Sequence, residues 1–183
     1  MSETKRVFIG GIGYTYLGDL SVAPVLLAQL KCEQWSVEVE IDDLSPGGPI
    51  ATVHRFRDGP PYERVVLFGS VVRGRKPGGI YCYRWDGQLP DPDEIQMRVA
   101  EGITGVIGLE NTLIVGGFFG IWPSEVVIIE VEPRDDAWGT AFSEPVQVAM
   151  TQLPALVRTL ALESLDGLAT SPYNAEEVLC ENN

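Results

Sequence analysis

Three short runs of almost uninterrupted apolar residues constrain this chain more than any other feature: Val7-Phe8-Ile9, Val65-Val66-Leu67-Phe68 and Val126-Val127-Ile128-Ile129. Each is too short for a buried helix and is rich in β-branched or aromatic side chains. Each is soon closed by glycine or proline, at Gly10-Gly11, Gly69 and Pro133. Strands written this way are covered on both faces, the condition of the interior of a parallel sheet.

Parallel strands need crossover helices, and the intervening segments supply them. Pro24 suits a first helical turn, with Val25, Leu26, Leu27 and Leu30 as its apolar face. Ser36 to Leu44 alternates Val37, Val39 and Ile41 with Glu38, Glu40 and Asp42, which predicts a half-buried strand near a sheet edge. Pro49 opens a short helix to Phe56. A glycine-rich turn at Gly74 to Gly79 leads into a strand from Ile80 to Trp85, read as a hairpin-like or edge extension. Asp91-Pro92-Asp93-Glu94 is helix-start chemistry, with acidic residues favourable to the helix dipole, and two helical pieces divided by a loop follow to Gly120. A strand from Glu125 to Val131 and a helix from Pro145 to Leu162, bent at Pro154, complete the order. The expectation is one three-layer α/β/α domain over 1–165 with a mainly parallel twisted sheet, followed by an acidic, mobile tail over 166–183. With 183 residues, 45% of them hydrophobic, there is enough apolar material for one core.

Composition removes several functions. A net charge of −13 repels phosphate backbones and anionic lipid, so neither nucleic acid nor a membrane is expected as partner. No apolar stretch approaches the roughly 20 residues that span a bilayer, and the reading is a cytoplasmic protein. Cys32, Cys82 and Cys180 are widely spaced and odd in number, which reads as reduced thiols. One histidine, His54, cannot by itself support a His-rich metal centre or a Ser-His-Asp apparatus. Ser21, Ser45 and Ser70 lack a nucleophile-elbow context. Arg73-Gly74-Arg75-Lys76 reads as a solvated basic loop, and Phe118 and Phe119 as core filling.

The turn after the first strand, Gly11-Ile12-Gly13-Tyr14-Thr15-Tyr16-Leu17-Gly18-Asp19-Leu20, sits where open α/β folds build ligand sites. As a dinucleotide fingerprint it fails, because Tyr16 stands at the third glycine and two tyrosines would crowd a pyrophosphate. It resembles instead the opening of the hydrogenase maturation proteases, which trim the C-terminus of the [NiFe]-hydrogenase large subunit. That family begins with a strand, Gly-x-Gly-Asn, a short apolar stretch, and Asp followed by Asp or Glu. Val65 to Phe68 leading to Lys76-Pro77-Gly78-Gly79, Gly108-Leu109-Glu110-Asn111-Thr112-Leu113, Trp122-Pro123, Val126 to Val131, Glu132-Pro133 and Pro145-Val146 follow in the family's order. The likeness spans roughly Arg6 to Leu162.

The resemblance implies a metal held by a carboxylate after the first turn, an aspartate ending the third strand and a histidine before the glycine-leucine helix. Those positions fall on Leu20, Gly69 and Gly105, none of which offers a side-chain donor, and the usual asparagine is Tyr14. The expectation is therefore a peptidase-like protein with no metal, no other cofactor and no catalytic residue. Its binding crevice would involve Tyr14, Tyr16, Asp19, Leu20, Asp42, Asp43, Gly69 and Gly105, with Phe118, Phe119 and Trp122 as further aromatics. The resemblance implies the hydrogenase large subunit or another maturation protein as partner. The alternative is an active metal-dependent endopeptidase with ligands relocated to Asp19, Asp42 or Asp43, and Glu101. Against it, Asp19 reads as a helix cap and Asp42-Asp43 as turn residues.

Overall fold

The computed structural model describes residues 5–173. In chain order its strands are β1 (Arg6–Ile12), β2 (Glu38–Asp43), β3 (Arg64–Ser70), β4 (Ile80–Trp85), β5 (Glu125–Val131) and β6 (Thr170–Ser171). The helices are α1 (Val22–Leu30), α2 (Gly48–Asp58), α3 (Pro92–Thr104), α4 (Leu109–Phe118) and α5 (Glu144–Leu162), with a short 3-10 turn at Gly18–Ser21 before α1. The strands form one sheet in the order β2-β1-β3-β5-β4-β6. β2, β1, β3 and β5 run parallel; β4 lies antiparallel to β5 and parallel to β6.

The apolar runs are continuous because both faces of these strands are covered. Val7, Ile9, Val66, Phe68, Val127 and Ile129 pack with α1 and α5 on one side. Phe8, Val65, Leu67, Val126 and Ile128 pack with residues of α2 and α4 on the other. This is the expected three-layer α/β/α architecture. Asp91 caps α3, its Oδ1 accepting from the amides of Asp93 and Glu94 at 2.9 and 3.1 Å. The helix at Pro49 runs to Asp58, two residues beyond the expected end.

Two expectations are revised. The Ile80–Trp85 segment is neither an edge nor one arm of a local hairpin: β4 is inserted between β5 and β6. The edge beyond it comes from residues assigned to the tail, since Arg84 pairs with Thr170 and Trp85 with Ser171, and Tyr173 is buried. The sheet thus extends past Leu165; residues 174–183 of the expected tail lie outside the described residues. Among the described residues no single helix is long and apolar enough to cross a membrane.

Candidate functional site

The chain leaves β1 outward to β2 and then returns to place β3 on the other side of β1, so the strand order reverses between β1 and β3. Connections diverge at such a point and leave a crevice at the carboxyl ends of the strands. Its floor is the register pair Ile12 and Gly69. Its rim is pinned by polar contacts: the Gly13 amide donates to Ser45 Oγ at 3.0 Å, and the Ser45 amide to Asp43 Oδ1 at 2.9 Å. The Ser70 hydroxyl donates to the Asp19 carbonyl at 2.6 Å. The Tyr14 side chain reaches to the α3–α4 connection, its hydroxyl donating to the Ile107 carbonyl at 3.1 Å.

The positions at which the resemblance places metal ligands do not fit one. Leu20 is half-buried and aliphatic. At Gly69 a Cβ would lie 2.4 Å from the Ile12 carbonyl oxygen, a backbone atom, so β1 and β3 close over the place an aspartate would need. Gly105 ends α3 in the left-handed region at φ 88°, exposed, with nothing within 4 Å of a Cβ built there. Among the described residues no group of three or more His, Cys, Asp or Glu is placed to hold a metal ion.

What lies beside Gly69 is instead a closed set of charges. Glu130 on β5 is the register partner of Gly69 and is almost wholly buried. Arg73 holds it through two nitrogens, Nε to Oε2 at 2.8 Å and Nη2 to Oε1 at 2.7 Å; Arg75 adds Nη2 to Oε2 at 2.7 Å. Arg73 Nη2 also reaches Glu110 Oε1 at 2.8 Å. Buried Glu132 accepts from the amides of Arg73 and Gly74 and from Arg75 Nε. The side chains of Arg73 and Arg75 are only 15% and 11% exposed, so this is not the solvated basic loop that the sequence suggested. Burial opposes the charge on Arg73, but hydrogen bonding and charge from Glu130, then Glu110, raise its pKa above the ordinary arginine value. Burial, then the Glu130 charge, push the Tyr83 phenol far above its usual range, so its hydroxyl stays protonated and donates to Glu130 Oε1 at 3.1 Å. Sequence reasoning missed this set. Its visible signal was Glu130 itself, a carboxylate inside a buried apolar strand, which has to have a partner.

The remaining predicted site residues are dispersed. Asp19 is fully buried and does not cap a helix; its carboxylate accepts from the amides of Arg134, Asp135 and Ser143 and from the Ser143 hydroxyl at 2.7–3.0 Å, latching the β5–α5 loop to the 3-10 turn. Asp42 pairs with Arg55 and Lys31, and Asp43 closes a turn. Glu101 pairs with Arg98. Asp19, Asp42 and Glu101 are thus engaged by other groups, and Asp43 stands on the rim without, among the described residues, further ligand-type side chains grouped with it to hold a metal. Tyr16 points outward with φ 63°, and its ring stacks on Trp138 with centroids 6.4 Å apart. His54 is exposed on α2. Phe118 and Phe119 are exposed rather than core, at the end of α4, while Trp122 is half-buried, its indole donating to the Leu113 carbonyl at 2.9 Å. Cys82 is buried, Cys32 exposed, and Cys180 outside the described residues.

No protein-family model matches the chain and no curated protein matches it in sequence. Solved structures do. The hydrogenase 2 maturation peptidase of a Thaumarchaeota archaeon is 24% identical with a TM-score of 0.60, covering 87% of this chain and all of its own. The endopeptidase HycI of Escherichia coli is 19% identical at TM-score 0.57, with 93% and 99% covered. The hydrogenase maturating endopeptidase HybD of E. coli is 16% identical at 0.56, with 86% and 95% covered. The chain has the fold of the hydrogenase maturation proteases over most of its length.

Proposed function

We propose that this chain is a non-cleaving counterpart of the hydrogenase maturation proteases, which binds a [NiFe]-hydrogenase large subunit or another maturation component and assists assembly without hydrolysis. Two things support the context: the fold, and the ordered run of motifs from Arg6 to Leu162. The loss of peptidase chemistry rests chiefly on one observation. The register neighbour of Gly69 is a carboxylate neutralised by two guanidinium groups, while Gly69 itself has a backbone carbonyl where a ligand side chain would begin. With Leu20 and Gly105 at the other two positions, no carboxylate, imidazole or thiolate is available there to a borderline cation. Recognition would then use the crevice bounded by Tyr14, Leu20, Gly69 and the α3–α4 connection.

The test is co-expression with a large-subunit precursor from the same genome. The expected result is a stable complex in which the precursor keeps its full mass. A precursor shortened at its C-terminus by the purified chain would overturn the reading, as would failure to bind any maturation component encoded beside the gene.

A further inference from the structure

We infer that a groove along α1, flanked by the stacked rings of Tyr16 and Trp138, is a docking surface for an apolar segment carried by a cationic partner protein. The groove encloses about 760 Å³ and is lined by Tyr16, Pro24, Val25, Ala28, Cys32 and Thr140 among others; no lining residue is charged. Beside it Trp138 is 81% exposed and Tyr16 57%. Rings so exposed add little to the stability of their own domain, whereas clustered aromatics next to an apolar depression are the usual anchors of protein interfaces.

The backbone holds them in place. Tyr16 is the one non-glycine residue with positive φ among the described residues, a conformation that crowds its own Cβ. It is kept there by the Gly139 amide donating to the Tyr16 carbonyl at 2.8 Å and the Gly18 amide to the Gly139 carbonyl at 3.2 Å. Buried Asp19 fixes the same two loops together from below. The pair is therefore presented on a braced tip, and an aromatic held ready in this way loses little freedom when it is covered.

Charge selects the occupant. The chain carries −13, and the loop that bears Trp138 carries exposed Asp135 and Asp136 against one cation, Arg134. None of the ion pairs among the described residues uses either aspartate. Two copies of so acidic a chain repel, while a basic partner is drawn to this rim before its apolar side chains enter the uncharged floor. The groove adjoins the crevice, since Thr15, Tyr16 and Ser21 line it and follow directly on Tyr14 and Leu20, but its occupancy does not depend on which partner the crevice serves.

Cys32 supplies the readout, since it lines the groove and is exposed whereas Cys82 is buried. In the full chain carrying Cys180→Ser, the alkylation rate of Cys32 is followed with an 18-residue amphipathic Leu/Lys helix as probe, beside its Leu/Glu and Ser/Lys counterparts. The Leu/Lys probe should slow alkylation at least fivefold, the other two less than twofold. Trp138→Ser and Val25→Lys, both on exposed side chains, should each abolish the protection. Equal protection by Ser/Lys or Leu/Glu, or protection untouched by both substitutions, overturns the inference. So does protection that rises with the chain's own concentration as it sediments as a dimer.

Discussion

Gly69 carries more consequence than its missing side chain implies. It pairs with Ile12 on one side and Glu130 on the other, and a Cβ there would stand 2.4 Å from a main-chain oxygen that cannot rotate away. Overpacking against backbone forces strands apart and typically costs about 1–3 kcal/mol. Gly69→Ala should therefore lower the unfolding free energy by that amount, read as a lower urea midpoint at unchanged slope, and Gly69→Asp by more, because it also buries a carboxylate near Glu130. A Gly69→Ala variant as stable as the parent would show that β1 and β3 can part there and that the place of the aspartate is still open. The motif order made the substitution visible in the sequence. That the backbone had also closed over it was not visible, because closure depends on the separation of two strands more than fifty residues apart.

At the scale of elements, the end of β5 and the loop after β3 are held by one arrangement of charge. Glu130 pairs with both Arg73 and Arg75 in a buried setting, so Glu130→Gln leaves Arg73 to Glu110 and Arg75 to Glu132. Breaking a buried pair costs about 3–5 kcal/mol. The thermal midpoint should fall accordingly, and amide exchange should quicken first in 71–79. Exchange spread evenly over the molecule would show that the loop is not held from Glu130. The β2–α2 junction behaves differently, because its charges are more open to solvent. Burial tends to raise Glu40 and Asp42, but hydrogen bonds from Tyr62 and Arg55 to Glu40, and from Arg55 to Asp42, outweigh it and hold both below their ordinary values. A carboxylate depressed in the folded state stabilises above its unfolded pKa and loses that contribution as pH falls through the folded one. Stability should therefore decline from about pH 4.5 downward, and Arg55→Met should flatten that decline. An unchanged acid limb in Arg55→Met would place the acid-sensitive groups elsewhere. Such pairings were hidden from the sequence because Arg73 and Glu130 are joined by topology, whereas the Asp91 cap was legible because its partners are two and three residues away.

Across the whole molecule, the layers could be read from the sequence because parallel strands buried on both sides leave continuous apolar runs and their crossovers leave helical periodicity. The far edge could not. β6 is two residues long, and a strand of that length has no period to detect. Yet it completes the sheet: the Arg84 amide donates to the Ala169 carbonyl at 2.8 Å and the Asp86 amide to the Ser171 carbonyl at 3.1 Å. Beyond it, the Tyr173 carbonyl accepts from Arg73 Nη2 at 2.7 Å and from the Tyr83 hydroxyl at 3.3 Å, tying this edge to the charges around Glu130. Tyr173 also packs its ring into the core on the α2 and α4 side. Truncation after Leu165 removes the edge strand, the buried ring and three carbonyl acceptors, one of which serves both Arg73 and the buried Tyr83 hydroxyl, each such loss costing about 1–3 kcal/mol. The shortened chain should unfold at clearly lower urea than the full chain, and its β4 amides should lose exchange protection while those of β1 keep theirs. If the chain ending at Leu165 were instead as stable as the parent, the acidic C-terminal segment would be dispensable to the sheet, and the domain would end where composition alone would place its boundary.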